Sequence, residues 1–340
     1  MAVLNVLYQH DNNYAIFGGV SILSLLENNK DAEDICIYMI DMGLADSYKE
    51  QYTEMIHRYG RRVQFIPAEQ VVERVQKIGL PQYRGSYATY LKLFVLTMLP
   101  ESVERIFYLD SDLLVEGSLS PLMEIDMQGN AVAMARDGLG LAFKDIHGFG
   151  KDEPYFCGGT ILFDVAQWNR QECLDRLVKY ATEVRGAFFA ADQDLLNIVL
   201  KGQITTLDLR YDFTYIHSIY PDKIFTQKYS PQAYYSEKEI EEARKSIAVL
   251  HFMRFLGESP WHKNSLHPHK DRFNYYLKQS VWKDYVPQLP RNDLVFRLER
   301  ILYCFAPRTM FYWIFVAYYR HYVIEADKKL KQANLKDIYF

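Results

Sequence analysis

The chain has 340 residues, 49% hydrophobic and 24% charged, enough for one large or two ordinary domains with a real core. Lys and Arg total 39 against 43 Asp and Glu, a net charge of −4 that argues against a dedicated nucleic-acid binder. Four scattered cysteines, Cys36, Cys157, Cys173 and Cys304, form no CxxC pair, which argues against a disulfide or zinc framework and fits a reducing, cytoplasmic compartment.

In chain order, VLNVLY (3–8) reads as a short strand, followed by the polar turn QHDNN and a helical period over 14–29. With no basic n-region and no long apolar run, this N-terminus is not expected to be a secretory signal. DICIYMI (34–40) is a second strand, 45–59 a helix, and RVQFIP (62–67) a third strand. SYATYLKLFVLTML (86–99) has helical spacing, and RIFYLD (105–110) is the next strand. NAVAMARD (130–137) and GGTILFD (158–164) follow as strands, with Asp164 and Gln167 spaced as a capping box for a helix. DQDLLNIVL (192–200) is a helix with acids in its first turn. YYSEKEIEEARKS (234–246) carries a second capping box, Ser236 with Glu239, and IAVLHF (247–252) is a last apolar strand. Strands alternating with helices predict an α/β fold on a mixed, mostly parallel sheet, with ligands bound beyond the carboxyl ends of the strands. QHDNN and the DSD of residues 110–112 both sit at such ends. The pattern stops near residue 285, so 1–285 is expected to form the α/β domain. The linker VPQLPRND (286–293) opens a basic, aromatic helical extension, 286–340.

Asp110 and Asp112 leave the end of an apolar strand one residue apart, a spacing that points both side chains the same way. Two adjacent carboxylates repel unless a cation lies between them, and oxygen donors suit hard ions such as Mn2+ or Mg2+. A polar turn explains the tripeptide equally simply. Haloacid-dehalogenase-type phosphatases also place a DxD after a strand. Their pattern continues with Gly and then Thr or Val, where this chain has Leu113 and Leu114. His251 ends the last strand, and neutral imidazole is a normal ligand for such metals.

LYQHDNNYA, YLDSDLLVEGSLSPL, FCGGTILFD, DQDLLN and HFMRFLGESPW, in that order between residue 3 and about 265, resemble glycosyltransferase family 8. That family contains retaining transferases similar to the bacterial lipooligosaccharide galactosyltransferases and glycogenin. The resemblance implies a Rossmann-like GT-A nucleotide-diphospho-sugar transferase fold. It implies a metal, Mn2+ or Mg2+, on Asp110, Asp112 and His251. It places nucleotide contacts at Asp11, Asn13, Tyr14, Lys92, Ser111 and Gly257, and donor-sugar contacts at Asp137, Cys157, Gly158, Gly159 and Asp192. Gln193 falls where the family places a group beneath the anomeric carbon, and the nearby carboxylate Asp194 is a second catalytic candidate. Lys92 would face the diphosphate or support the sugar-binding acids.

Cys157 stands where the family has Asn, and Ser259 where it has a diphosphate-binding Lys, a charge that Arg254 or Lys263 would have to replace. The implied donor is UDP-glucose or UDP-galactose and the implied acceptor a saccharide, free or lipid-linked, of lipopolysaccharide or capsule. A self-glucosylating enzyme and a sugar-nucleotide-binding relative without catalysis are the alternatives.

Residues 295–323 hold ten aromatics, four Arg and one acid, the composition of a segment lying in a membrane interface. The run MFYWIFVAYY (310–319) is half of the ~20 residues that span a bilayer, and Pro307 should split the segment. The expectation is peripheral contact with the inner face of the cell membrane, so that deleting residues 290–340 spares activity on soluble acceptors. A helical hairpin packed on protein is the other reading.

Overall fold

The computed structural model describes residues 3–336 except 79, 81, 83–85 and 185–187. β1 (Leu4–His10), α1 (Ala15–Asn28), β2 (Ile35–Asp41), α2 (Asp46–Arg58), β3 (Arg62–Pro67), α3 (Ala68–Ile78), α4 (Ala88–Phe94) and β4 (Arg105–Leu109) build the first half. The second runs β5 (Leu113–Val115), β6 (Val132–Arg136), α5 (Leu141–His147), β7 (Phe156–Asp164), α6 (Val165–Arg170), α7 (Cys173–Glu183), α8 (Ala191–Val199) and β8 (Ile204–Thr206). Next come β9 (Phe213–Thr214), α9 (Ile216–Ile219), α10 (Lys223–Lys228), α11 (Glu237–Lys245), β10 (Val249–His251) and α12 (Lys270–Gln279). The extension is α13 (Leu294–Phe305) and α14 (Arg308–Lys336).

The main sheet has the order β3-β2-β1-β4-β7-β6-β8 and is parallel except at β7, which runs against both of its neighbours. β2 is buried throughout and β1 nearly so, because helices cover both faces of the sheet. A second, three-stranded sheet, β5-β10-β9, starts immediately after the DSD turn. It pairs His251 with Leu113 on one side and Thr214 on the other. The two sheets therefore share residues 110–112 as their hinge, which brings His251 beside the end of β4.

Ser236 and Glu239 form the full capping box at α11, and Asp164 Oδ1 accepts from Gln167 N at 2.9 Å. The stretch 86–99 divides into α4 and a tighter turn, Val95–Met98. The short strands β5, β8 and β9 had no expectation from sequence, because two or three residues carry no periodicity.

The extension breaks at Pro307 as expected, but it is not a detached tail. Phe311 and Tyr312 are fully buried and join the main core, and Val323 packs with Phe143 and Tyr155. Phe296 lies where a Cβ on Gly257 would go, 2.5 Å from its Cδ1. Arg300 pairs with buried Glu258 at 3.2 Å, and the Tyr303 and Phe255 rings are 4.9 Å apart. The extension thus clamps the loop that follows His251, and its deletion is expected to damage the site. Among the described residues, no helix is long and apolar enough to cross a membrane.

Candidate active site

The DSD turn is held by two backbone hydrogen bonds and one side-chain hydrogen bond. Asp110 N donates to Gly159 O of β7 at 2.9 Å, and Phe252 N, just after β10, donates to Asp112 O at 2.9 Å. The Ser111 hydroxyl donates to Gln9 O of β1 at 2.9 Å, so Ser111 fixes the turn. Asp110, Asp112 and His251 each place one donor atom within 4.8 Å of the other two. Nε2 of His251 lies 3.5 Å from Asp112 Oδ1, while its Nδ1 is held by Asp212 Oδ1 at 2.8 Å. Asp212 escaped the sequence reading, since a lone acid before a two-residue strand carries no signal. It fixes the imidazole orientation, as outer carboxylates do for metal-ligating histidines.

The electrostatics favour a cation here. Burial pushes the Asp110 carboxyl up to about 6, Lys92 opposes the rise and Asp112 adds to it. Against burial, the hydrogen bond and charge of His251 hold Asp112 below its usual value. His251 itself rises well above an ordinary histidine: burial alone would lower it, but Asp212 and Asp112 outweigh that. A positive charge between these acids is stabilising, whether it is a proton on the imidazole or a hard divalent ion. Two carboxylates and one oriented imidazole fit such an ion.

Two cavities meet at these acids. One, of about 290 Å3, is lined by Asp11, Tyr14, Tyr108, Asp110, Ser111 and Asp112 among others. The other, of about 430 Å3, is lined by Lys92, Asp110, Asp112, Cys157, Gly158, Gly159, Asp192, Gln193, His251 and Arg254 among others. In the first, Asp11 shapes the turn after β1, accepting from Asn13 N and Tyr14 N at 3.0 Å each, and Asn13 Nδ2 also donates to it. Tyr14 caps the site edge-on to Trp261, with ring centroids 6.2 Å apart.

In the second cavity, Lys92 is buried, its Nζ 2.7 Å from Asp192 Oδ2, 4.0 Å from Asp110 Oδ1 and donating to Gly158 O at 3.1 Å. It therefore pairs with the acids of the cleft. Thr89 donates to the other Asp192 oxygen. The Gln193 amide is fixed at both ends: Oε1 accepts from Gly158 N at 2.8 Å, and Nε2 donates to Asp137 Oδ2 at 3.2 Å. Four residues on, Asn197 takes both Phe156 N and O at 2.7 and 2.9 Å, fastening α8 to β7. Ala191 (φ 45°) and Met253 (φ 53°) hold left-handed conformations beside Asp192 and His251, strain of the kind that collects at functional sites.

Several expectations change. Asp137 is buried against Gln193, with Oδ1 taken by Leu139 N at 2.7 Å and Oδ2 by Gln193 Nε2. Asp194 is fully buried, accepts from Ala190 N at 2.6 Å and from the Tyr155 hydroxyl, and lies 3.0 Å from His147 Nε2; it anchors the start of α8 and is sealed from the cleft. The paired glycines admit side chains of the protein itself. A Cβ on Gly159 would lie 2.2 Å from His251 Cε1, and one on Gly158 3.2 Å from Gln193 Cβ. Gly257 makes room for Phe296. Arg254 lines the cleft, whereas Lys263 is bound through its backbone to Gln288 O.

The sequence model of glycosyl transferase family 8 matches residues 5–265. General stress protein A of Bacillus subtilis is 26% identical over 285 residues, spanning 82% of this chain and 95% of that protein. A lipopolysaccharide 1,2-glucosyltransferase of Escherichia coli is 26% identical over 299 residues, 86% of this chain and 83% of that one. The galactosyltransferase LgtC, solved with donor and acceptor sugar analogues, superposes with a TM-score of 0.64 at 21% identity over 84% of this chain and 98% of its own, a likeness that shows the GT-A fold. With its five motifs gathered around one pair of cavities, the chain is a glycosyltransferase belonging to glycosyl transferase family 8.

Proposed function

We propose that the protein is a metal-dependent, retaining hexosyltransferase that moves glucose or galactose from a UDP-sugar to a saccharide acceptor in surface-glycan synthesis. The observation that carries this reading is the junction of the two cavities at Asp110 and Asp112, with His251 within reach of both. A nucleoside fits the side of Asp11 and Tyr14, a sugar the side of Asp192 and Gln193, and the diphosphate between them lies against the acids.

Asp110, Asp112 and His251 would hold Mn2+ or Mg2+ there. When bound, such an ion supplies Lewis-acid stabilisation of the departing diphosphate, worth several kcal/mol. Arg254 adds positive potential at the same cleft, in place of the Lys missing at Ser259. Lys92 holds the Asp192 carboxylate in place for the sugar hydroxyls. Gln193 offers a preorganised amide, and amides are poor nucleophiles. With Asp194 sealed and Asp192 engaged by Lys92 and Thr89, the site supports same-face attack by the acceptor over a covalent intermediate.

The exposed apolar side chains of the extension, Leu294, Leu298, Ile301, Phe305 and Trp313, alternate with Arg297 and Arg308 and suit peripheral contact with an anionic membrane carrying a lipid-linked acceptor. Co-sedimentation with anionic vesicles, but not with neutral ones, is the expected result.

A donor screen for UDP release with Mn2+, with and without chelator, tests the enzyme assignment. Activity with UDP-glucose or UDP-galactose should vanish with chelator and in Asp110→Asn and Asp112→Asn. Full turnover by either variant in metal-free buffer refutes the metal assignment.

A further inference from the structure

We propose that Cys157, Asp212 and His251 form a second, buried site for a thiophilic divalent cation such as Zn2+, sharing His251 with the Asp110–Asp112 site. The three residues come from the starts and ends of different strands: Cys157 near the start of β7, Asp212 just before β9, His251 at the end of β10. One donor atom from each lies within 4.8 Å of the other two, and the three side chains are 6%, 2% and 5% exposed.

A second observation points to a missing ligand. Asp212 spends Oδ1 on His251 Nδ1, but its buried Oδ2 has no hydrogen-bond partner. A buried carboxylate oxygen without a partner is costly, and a cation satisfies it.

The donor chemistry separates this site from its neighbour. Thiolate, imidazole and carboxylate are the zinc donors, at about 2.0–2.3 Å, and three of them leave the fourth position open. A thiol is a poor partner for Mn2+ or Mg2+, which take oxygen. Cys157 and His251 both line the 430 Å3 cleft, so an ion has a path in. On binding, the Cys157 thiol releases its proton to solvent and His251 gives up the Nδ1 proton shared with Asp212, carrying its remaining proton on Nε2, so that the sulfur and Nδ1 lone pairs make the bonds to the ion.

A neutral imidazole has one lone pair, so His251 serves one ion at a time. Zn2+ on the Cys157 side therefore removes a ligand from the Asp110–Asp112 side and inhibits any reaction that needs it. This exclusion rests on the metal assignment above. The zinc site itself does not, and it stands if no sugar is transferred.

The test uses the purified full-length chain without sugar nucleotide. X-ray absorption at the zinc edge should show one sulfur neighbour at about 2.3 Å. Cys157→Ser should lose it and weaken zinc at least ~10-fold in a chelator competition, with Asp212→Asn also weakening zinc. Asp110→Asn should leave zinc affinity in place. Zinc should release bound Mn2+, read by electron paramagnetic resonance, and thermal unfolding confirms that each variant is folded. A zinc shell of oxygen and nitrogen only, with affinity lost in Asp110→Asn and kept in Cys157→Ser, overturns the proposal, as does absence of zinc binding. Sulfur-bound zinc in a chain that releases no UDP leaves this site standing while removing the UDP-sugar reading.

Discussion

Replacing Gly159 by Ala adds one methyl group at the point where β7 passes under His251. The position has no left-handed φ, so alanine brings no backbone strain. The new Cβ would stand 2.2 Å from His251 Cε1 and 2.8 Å from Nδ1, while ordinary contact begins at 3.4 Å. The ring has to retreat by about 1.2 Å, from 2.2 to 3.4 Å. It is anchored by Asp212 at 2.8 Å, and a displacement of that size disrupts the bond. Misplacing a reactive group by about 1 Å costs on the order of 10²-fold in rate, and overpacking a core costs about 1–3 kcal/mol of stability. Mn2+ affinity by paramagnetic resonance, UDP-release kinetics and urea unfolding are measured side by side. Gly158→Ala is the companion, since its nearest contact is 3.2 Å from Gln193 Cβ and metal affinity should stay near wild type. Wild-type metal affinity and turnover in Gly159→Ala would show that His251 is not seated on this glycine during the reaction.

Lys92→Met keeps the stem but removes the cation 2.7 Å from Asp192, and breaking so buried a pair should cost about 3–5 kcal/mol in urea unfolding; a loss below about 1 kcal/mol contradicts the bridge. Burial pushes the Asp137 carboxyl up to about 6 from 3.8, so the folded state holds an extra proton between those values. Its contribution favours folding at low pH and is lost as pH rises through about 6. The stability difference between wild type and Asp137→Asn should therefore fall by up to about 3 kcal/mol from pH 4 to 7, and a flat difference refutes the shift. Removing residues 290–340 uncovers Phe255 and the Gly257 loop and deletes core residues Phe311 and Tyr312; lower thermal stability and lost UDP release are expected even with soluble acceptors, and unchanged kinetics would return the extension to a tail.

By itself the sequence determined the alternating α/β elements, the strand-end placement of QHDNN and DSD, and the order of five motifs. These are short-range properties: periodicity, capping residues and turn chemistry act over one or two turns, and Ser236 with Glu239 or Pro307 do their work locally. It could not set the rotation of α8 relative to the cleft. Consecutive helical residues are about 100° apart, so Gln193 faces the cavity while Asp194 turns into the core, and only packing against β7 fixes which. It could not find Asp212, whose importance comes from strand pairing that lays β9 beside β10. Nor could it choose between Arg254 and Lys263, of which Arg254 lines the cleft. The tertiary structure also decided what the glycines and the extension are for. Gly159 yields space to His251 and Gly257 to Phe296, contacts between residues 92 and 39 positions apart that no local pattern encodes. The carboxylates were legible because they sit at the end of a strand; the centre they belong to exists because two sheets hinge on three residues.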